Sequence, residues 1–546
     1  MKNLLTGPTR CLLVRPVFLE NTFYNLSNVF RLLGASSAAP PLGLLVVAAM
    51  LPPQWQVRFI DADVEPLTPE DLAWADIVMV GGISPQLEPM LAVVRQAHAL
   101  GKLVVVGGSG PSLQPELFGE ADFVVTGEAE GVIPKLLEDL GKGVRSGVYR
   151  STEMADLSRA VIPRYELAKL DRYLFVGLGF TRGCPFSCEF CAQVEIFGKK
   201  TRAKSATQVV AEMQELYDLG YRGMIDIGYD NLIGDIGRAE EVLTAMAAWG
   251  RAHGHPFHFS TEATMNLARQ PRLLELMRDN DFRYVFVGIE SGEDEVLDRA
   301  KKGQNTAMPA EEAVRIFNSY GLIVNTGLIL GFDGESSKSG ARMLEMVQKT
   351  GAFPSLVLPL HALPRTQLSK RLAREGRLFG GSIVQGNADR TDTATTGLNF
   401  VTDRPRTEIL EDLASVLDQL YEPKNHYARA ALVARQLRPS HKYKPSLAKT
   451  LQLARTFVRI AGSIGLDPGT RRYFWTAIAR TLMTNPQAVE MVVGQAVFQA
   501  NYAIQARSYV RALREQVADV KKVGEKAFNA ARLGRGQVVA ASSMGQ

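Results

Sequence analysis

The stretch Thr181-Arg182-Gly183-Cys184-Pro185-Phe186-Ser187-Cys188-Glu189-Phe190-Cys191 holds three of the four cysteines of a 546-residue chain. So few cysteines in so long a chain make no disulfide framework and point to a reducing, cytosolic setting. Thiolates at this spacing are soft ligands that select zinc, copper(I) or iron–sulfur clusters. A structural zinc needs a fourth Cys or His close by to complete its tetrahedron. None of the seven histidines is near; His253, His255 and His258 follow more than sixty residues later. A [4Fe–4S] cube held by three cysteines leaves one iron without a protein ligand, the open position that a catalytic metal needs. Cys184, Cys188 and Cys191 are therefore read as metal ligands and as the catalytic centre.

Working outward, the cysteines follow a strand over 174–181, the first of six strand candidates; the others lie at 223–228, 257–262, 284–289, 323–330 and 355–360. Helical segments near 206–219, 237–252, 271–279, 309–320 and 337–350 separate them, which predicts a partial (β/α)6 barrel of the TIM type with its chemistry at the strands' carboxyl ends. Upstream, short apolar strands at 11–15, 56–61, 77–82, 103–108 and 123–127 alternate with helices, which predicts a doubly wound, Rossmann-like parallel sheet. Three of these strands run into glycine-rich ends: Gly81-Gly82-Ile83-Ser84-Pro85, Gly107-Gly108-Ser109-Gly110-Pro111-Ser112 and Gly127-Glu128-Ala129-Glu130-Gly131. Glycines there admit a ligand close to the backbone, but their spacing after the first strand is not that of a dinucleotide site. Beyond a Gly-rich stretch at 379–396 only helices are predicted, at 406–422, 425–437, 445–463, 470–483, 486–512 and 514–534. The domains expected are 1–145 (α/β, ligand-binding), 146–172 (linker), 173–380 (barrel), 381–535 (all-α) and 536–546 (fraying tail).

Cys-x3-Cys-x2-Cys with an aromatic before the last cysteine, after a barrel's first strand, resembles the radical S-adenosylmethionine (SAM) enzymes. A doubly wound domain ahead of such a barrel, with Gly-Gly-x-x-Pro at Gly107–Pro111 and Gly-Glu-x-Glu-Gly at Gly127–Gly131, is similar to the cobalamin-dependent class. The resemblance implies a [4Fe–4S] cluster, SAM and cobalamin as cofactors. It implies contacts to SAM from Phe190, Tyr229, Asp230, Asn231, Glu262 and Ser291, with Gly331-Phe332-Asp333 near adenosine, and contacts to cobalamin from Ser84, Pro85, Gly107, Gly108, Ser109, Gly127 and Glu128. No Asp-x-His-x-x-Gly motif occurs, and His98 falls inside a predicted helix, so cobalamin is expected to bind with its base detached. The implied reaction is C-methylation of an unactivated carbon through methylcobalamin and a 5′-deoxyadenosyl radical, with flavodoxin or ferredoxin as electron donor. A second cluster, as in methylthiotransferases, is disfavoured because only Cys11 remains, on the first strand, where it reads as a small hydrophobe.

The segments Thr181–Cys191, Gly198–Lys204, Asn231–Gly234 and Leu363–Leu368 resemble a subgroup with an added helical domain that includes hopanoid 2-methylases and lies near methylases of bacteriochlorophyll side chains. The implied small-molecule substrate is a polycyclic or isoprenoid lipid, with a tetrapyrrole, a secondary metabolite or a modified peptide as alternatives, and with non-methylating ring formation as an alternative reaction. Residues 426–546 carry 19 Lys and Arg against 5 Asp and Glu, a net of +14 within a whole-chain +5 that leaves −9 for 1–424. Such an end suits an anionic membrane surface, an acidic partner or nucleic acid. No RNA-recognition or finger signature accompanies it, so nucleic acid is not expected. Arg471-Arg472-Tyr473-Phe474-Trp475 is consistent with an interfacial helix. No apolar run reaches the roughly 20 residues of a membrane span, so a cytoplasmic protein, peripheral at the inner membrane, is expected.

Overall fold

Runs of Val, Ile and Leu four to six residues long build the first sheet: β1 Arg10–Arg15, β2 Gln56–Asp61, β3 Ile77–Gly81, β4 Leu103–Gly107, β5 Phe123–Thr126 and β6 Gly147–Arg150. The computed structural model describes residues 7–19, 22–228, 230–380, 395–440 and 442–533. All six strands are parallel, in the order β2-β1-β3-β4-β5-β6. Leu12, Val14, Val78, Val80, Val104 and Val106 bury on one face, and Cys11, Leu13, Ile77, Met79 and Val105 on the other, so Cys11 is a core residue. Helices α1 Ser27–Leu33, α2 Leu42–Met50, α3 Pro69–Trp74, α4 Leu87–Ala99, α5 Ser109–Leu113 and α6 Ile133–Gly141 belong to this part. The strand order reverses between β1 and β3, which puts the crevice for a ligand at their carboxyl ends.

The stretch 146–172, expected as a linker, is structured at both ends. Residues 147–150 pair with β5 as the sixth strand. Tyr165 is fully buried, and its hydroxyl donates to Gly177 O at 3.0 Å.

The second sheet runs β7 Phe175–Gly179, β10 Met224–Gly228, β11 His258–Ala263, β12 Phe282–Glu290, β13 Ile323–Leu330 and β14 Ser355–Pro359, each parallel to the last. Two short antiparallel strands, β8 Thr181–Arg182 and β9 Arg202–Ala203, bracket the cysteine loop. Helices α7 Gln193–Phe197, α8 Ala206–Asp218, α9 Ile236–Ala252, α10 Pro271–Asp279, α11 Asp294–Arg299, α12 Ala310–Ser319, α13 Ser339–Thr350 and α14 Gln367–Arg374 complete the partial barrel. Ile225, Ile227, Phe259, Val285 and Val287 bury in the core cluster that the helices share. By strand alternation Asp226 and Gly228, Ser260 and Glu262, Phe286 and Gly288, Asn325 and Gly327, and Leu356 and Leu358 then face the lumen. Phe286 is 36% exposed in the middle of the sheet, which an aromatic there can be only if the lumen is open.

Helices follow: α15 Arg406–Leu420, α16 Pro423–Gln436, α17 Leu447–Ser463, α18 Arg471–Thr484 and α19 Val489–Val523, with residues 525–533 helical again beyond Gly524. The expected break between 512 and 514 is absent. Tyr502, Ala506, Tyr509, Val510, Leu513, Val517 and Val520 make one unbroken buried stripe, and no Gly or Pro interrupts it before Gly524. This domain also grips the start of the chain. The Phe23 ring meets those of Tyr502 and Tyr509 at 5.9 and 4.9 Å. Gln505 Nε2 donates to Thr22 O and Asn25 O at 3.1 and 2.5 Å, and Arg459 Nη1 to Arg31 O at 3.1 Å. Most of the Gly-rich stretch at 379–396, the tail at 536–546 and Tyr229 lie outside the described residues.

Candidate active site

Gly183, at φ +85°, begins the cysteine loop; a Cβ there would stand 2.5 Å from Lys200 O, so only glycine allows the loop to close on itself. Its N–H donates to Asp230 Oδ2 at 2.6 Å, and Cys184 N–H to Gly198 O at 3.2 Å. The buried Glu189 carboxylate takes two bonds from Arg371 on α14, at 3.0 and 2.8 Å. Arg371 also pairs with Asp333 at 2.8 Å. Cys184, Cys188 and Cys191 are half-buried and unbridged. Burial pushes the Cys191 thiol up to about 11 and raises that of Cys184 as well, an environment in which a thiolate needs a metal to form. Among the described residues no group of three His, Cys, Asp or Glu converges on one ion. Three soft thiol donors on one loop are a ligand set that suits an iron–sulfur cube.

Around these sulfurs lie groups that sequence reading left out. Lys302 is buried, paired with Glu290, and stands 5.7 Å over the Phe190 ring, with the charges of Cys188 and Cys191 acting on it. Glu290 sits at φ +67°, where a bulge interrupts the pairing of β12 with β13, and the bulge turns its side chain toward Lys302. Gln304 Nε2 donates to Cys188 Sγ at 3.4 Å. Phe190 packs edge-on against Phe332 at 5.5 Å.

Beside the loop, buried polar atoms lack partners: Asp230 Oδ1, Asn231 Nδ2 and Glu262 Oε2. In a folded interior such atoms normally find partners, so these three mark a place for a polar ligand such as SAM. Burial lifts Asp230 to about 6 against the opposing pull of the Gly183 N–H. Glu262 lies over Gly228, where any Cβ would collide with it, and over Asp226, whose carboxylate accepts from Ser260. Burial, and then the charge of Asp226, push Glu262 well up. Ser291 is spoken for locally: its hydroxyl accepts from Glu293 N at 3.2 Å.

The glycine-rich strand ends form a ledge on the first sheet. Gly108, at φ +106°, packs directly on Gly82 O, and Gly82 N–H donates to Gly107 O at 3.3 Å. Ser112 ties in Gly127, accepting its N–H at 2.9 Å. Gly107, Gly108 and Gly127, with Ser84, Pro85 and Ser109, keep accessible surface there, so the ledge is bare enough for the flat face of a corrinoid. Glu128 does not share it. Its carboxylate is sealed between Arg182, at 2.9 Å, and Arg202, at 2.8 Å, and accepts Ala155 N–H at 2.7 Å. Glu130 takes two further bonds from Arg182, at 2.9 and 2.7 Å. Arg182 lies two residues ahead of Cys184, so this latch presses the glycine ledge against the cysteine loop. His98 sits elsewhere, on α4 beside Asp122 at 3.0 Å, at the amino ends of the strands and away from the ledge.

Glu335 secures the loop after β13, where its Oε1 accepts the N–H groups of Gly331 and Phe332 at 2.8 and 3.1 Å. Burial pushes it up to about 7. Because the native value exceeds the unfolded one, its contribution is full below about pH 4.5 and is lost as pH rises through 7, a swing of about 3 kcal/mol. Glu335→Gln keeps the acceptor and removes the titration. The urea midpoint of this variant should fall less between pH 5 and 8 than that of the parent chain; an identical fall in both sets the group aside.

Family models match three parts of the chain: a B12 binding domain over 32–137, the radical SAM superfamily over 178–347 and a domain of unknown function over 366–515. The chain is 34% identical over 518 residues to an uncharacterized methyltransferase of Synechocystis sp., covering 93% of this chain and 94% of that protein. It is 32% identical over 454 residues to the hopanoid C-2 methylase of Rhodopseudomonas palustris, covering 81% and 84%. The solved structure of the cobalamin-dependent SAM radical enzyme OxsB, with aqua-cobalamin and SAM bound, shares the fold at a TM-score of 0.58 and 15% identity, over 97% of this chain and 84% of that one.

Proposed function

Since the chain belongs to the cobalamin-dependent radical SAM methyltransferases, we propose that it methylates an unactivated carbon of a polycyclic or isoprenoid lipid, a hopanoid-like triterpenoid being the first candidate. Its cofactors are a [4Fe–4S] cluster, SAM and cobalamin. The finer reading adds flavodoxin or ferredoxin as electron donor and an anionic membrane surface as the place of work. What carries the lipid reading is the lumen: Leu356 and Leu358 face it from the last strand and Phe286 stands in it beside Glu262 on the neighbouring strand, so apolar surface is on offer next to the carboxylates. The 32% identity to a hopanoid methylase supports it.

When bound, the cofactors supply the electron, the radical and the methyl group. The chain's own residues hold and exclude. Cys184, Cys188 and Cys191 bind the cluster, and Lys302 balances their negative charge from beside Phe190. Asp230 offers Oδ1 to accept from SAM's amino group, Asn231 Nδ2 can donate to its carboxylate, and Glu262 offers Oε2 to a ribose hydroxyl. Gly107, Gly108 and Gly127, with Ser84, Pro85 and Ser109, hold cobalamin by backbone contact. The apolar wall keeps water off the reacting carbon.

The test is anaerobic reconstitution with iron, sulfide and hydroxocobalamin, then turnover with SAM and titanium citrate, with and without a triterpenoid lipid extract. Equal amounts of 5′-deoxyadenosine and S-adenosylhomocysteine, rising with a methylated lipid, are expected. Coupled products with no methylated lipid, or methylation of an added tetrapyrrole instead, overturn the substrate. Deoxyadenosine without S-adenosylhomocysteine overturns methyl transfer.

A further inference from the structure

We propose that α17 and α18, consecutive helices joined over 464–470, form a docking surface for an anionic bilayer, with the apolar stripes of both entering the headgroup layer. The inference names the surface behind the membrane contact proposed above and rests on that part of the reading alone. Among the described residues no helix is long and apolar enough to cross a membrane, so any contact has to be made from the outside.

The observation is an apolar stripe that the fold leaves uncovered. Leu447, Leu451, Ala454 and Val458 are spaced four, three and four residues apart, which puts them on one side of α17. All four are exposed, Leu447 by 78%, Leu451 by 55% and Val458 by 70%. Only the end of the helix is seated, where Ile460, with Ile464 just beyond it, joins the domain core; upstream Leu453 and Phe457 are exposed as well, by 49% and 38%, so the preceding turns stand clear with apolar side chains uncovered. On α18, Trp475, Ala479, Leu482 and Met483 repeat the pattern, with Met483 at 77% exposure. Phe474, Ala477 and Ile478 bury on the other side. Trp475 Nε1 donates across the turn to Gly465 O at 2.9 Å, which satisfies its polar end and frees its ring edge for an apolar medium. A patch of this kind marks an interaction site rather than an ordinary surface.

Charge selects the occupant. Residues 439–485 carry eight Lys and Arg against one Asp, a net of +7, and neither α17 nor α18 contains an acidic residue. A second copy of the chain would bring +7 against +7 across the same face and be repelled. A bilayer rich in phosphatidylglycerol supplies the opposite sign and an apolar layer beneath it. Long basic side chains such as Arg455, Arg471 and Arg472 can lie along the apolar surface with their charged ends among the headgroups.

Full-length protein should co-sediment with vesicles of one part phosphatidylglycerol to two parts phosphatidylcholine and not with pure phosphatidylcholine. The double variant Leu451→Glu/Val458→Glu should bind at least about 100-fold more weakly. Arg471→Gln/Arg472→Gln should lose about 30-fold. Both pairs are exposed, so circular dichroism and melting temperature should match the parent. Absence of binding to the anionic vesicles, or binding unchanged in both variants, overturns the proposal. So does a dimer in light scattering that Leu451→Glu/Val458→Glu converts to a monomer, which would make the face an interface between copies. SAM cleavage in the reconstituted enzyme without lipid should be the same in parent and variants, so loss of docking is read separately from loss of the chemistry.

Discussion

Cys188→Ala should purify as a folded protein that takes up no cluster and forms no 5′-deoxyadenosine from SAM. The fold survives because nothing holds the loop through that sulfur. Gly183 is fixed by Asp230, Cys184 N–H by Gly198 O, and Glu189 by Arg371 and by an N–H bond to Ala300 O at 3.1 Å. The thiol itself is half-buried with one contact, from Gln304, so its removal stays within the small range of surface changes. The cluster does not survive, because three ligands leave no redundancy: with two, a second iron is bare. The contrast is Gln304→Leu, which removes only an outer-shell donor and should lower activity or cluster retention by about 10- to 100-fold. Iron and sulfide content with deoxyadenosine by mass spectrometry reads both variants. A Cys188→Ala protein that keeps a full cluster would falsify the ligand assignment.

The second large effect is expected at the latch. Arg182→Gln takes away the guanidinium that holds Glu130 and one of the two that hold Glu128, which is only 1% exposed there and keeps Arg202. Leaving a buried polar group short of a partner costs about 1–3 kcal/mol, and here two carboxylates lose one each while Arg202 still holds Glu128. Both carboxylates lie on the boundary between the glycine ledge and the cysteine loop, so ledge and loop should separate before either unfolds. Cobalamin retention on a desalting column should drop while iron content holds, and deoxyadenosine should then form in excess of S-adenosylhomocysteine. Adding Glu130→Gln relieves the charge left without its guanidinium and should restore about 0.5–3 kcal/mol of the loss. Unchanged thermal unfolding in Arg182→Gln would show that the latch contributes nothing.

Where information is local, the residues are legible in the sequence. Three thiols after a strand, five apolar runs ahead of them and glycines at the strand ends are features of short segments, and the strands formed within one or two residues of their expected places. The short helices were not legible, because α1 and α3 are seven and six residues long and offer no full period. α3 did carry a local sign, the reciprocal bonds of Thr68 and Asp71 behind Pro69. The helix α19 was cut in two because Arg511, Arg514 and Glu515 crowd its middle, although they occupy its solvent side while Val510 and Leu513 stay buried.

The site's charged groups are hidden for another reason. Glu128 and Arg182 are 54 positions apart, and Glu290 meets Lys302 only because a bulge rotates it. Nothing in a run of residues announces that two distant charges will face each other in a dry interior. Glu128 is legible as a member of a loop motif and not as an ion-pair partner of Arg182 and Arg202.

The clasp between the two ends of the chain has a bearing on how the molecule is made. Thr22 waits for Gln505, which is 483 positions behind it. At ribosomal speeds of roughly 5–20 residues per second, that interval is about 25 to 100 s. During it Phe23 has neither Tyr502 nor Tyr509 to cover it. The segment around Phe23 is thus sealed only once α19 has been made, however early the sheets behind it fold. Nascent chains stalled short of α19 should be cut by protease at the N-terminal segment that the finished protein shields.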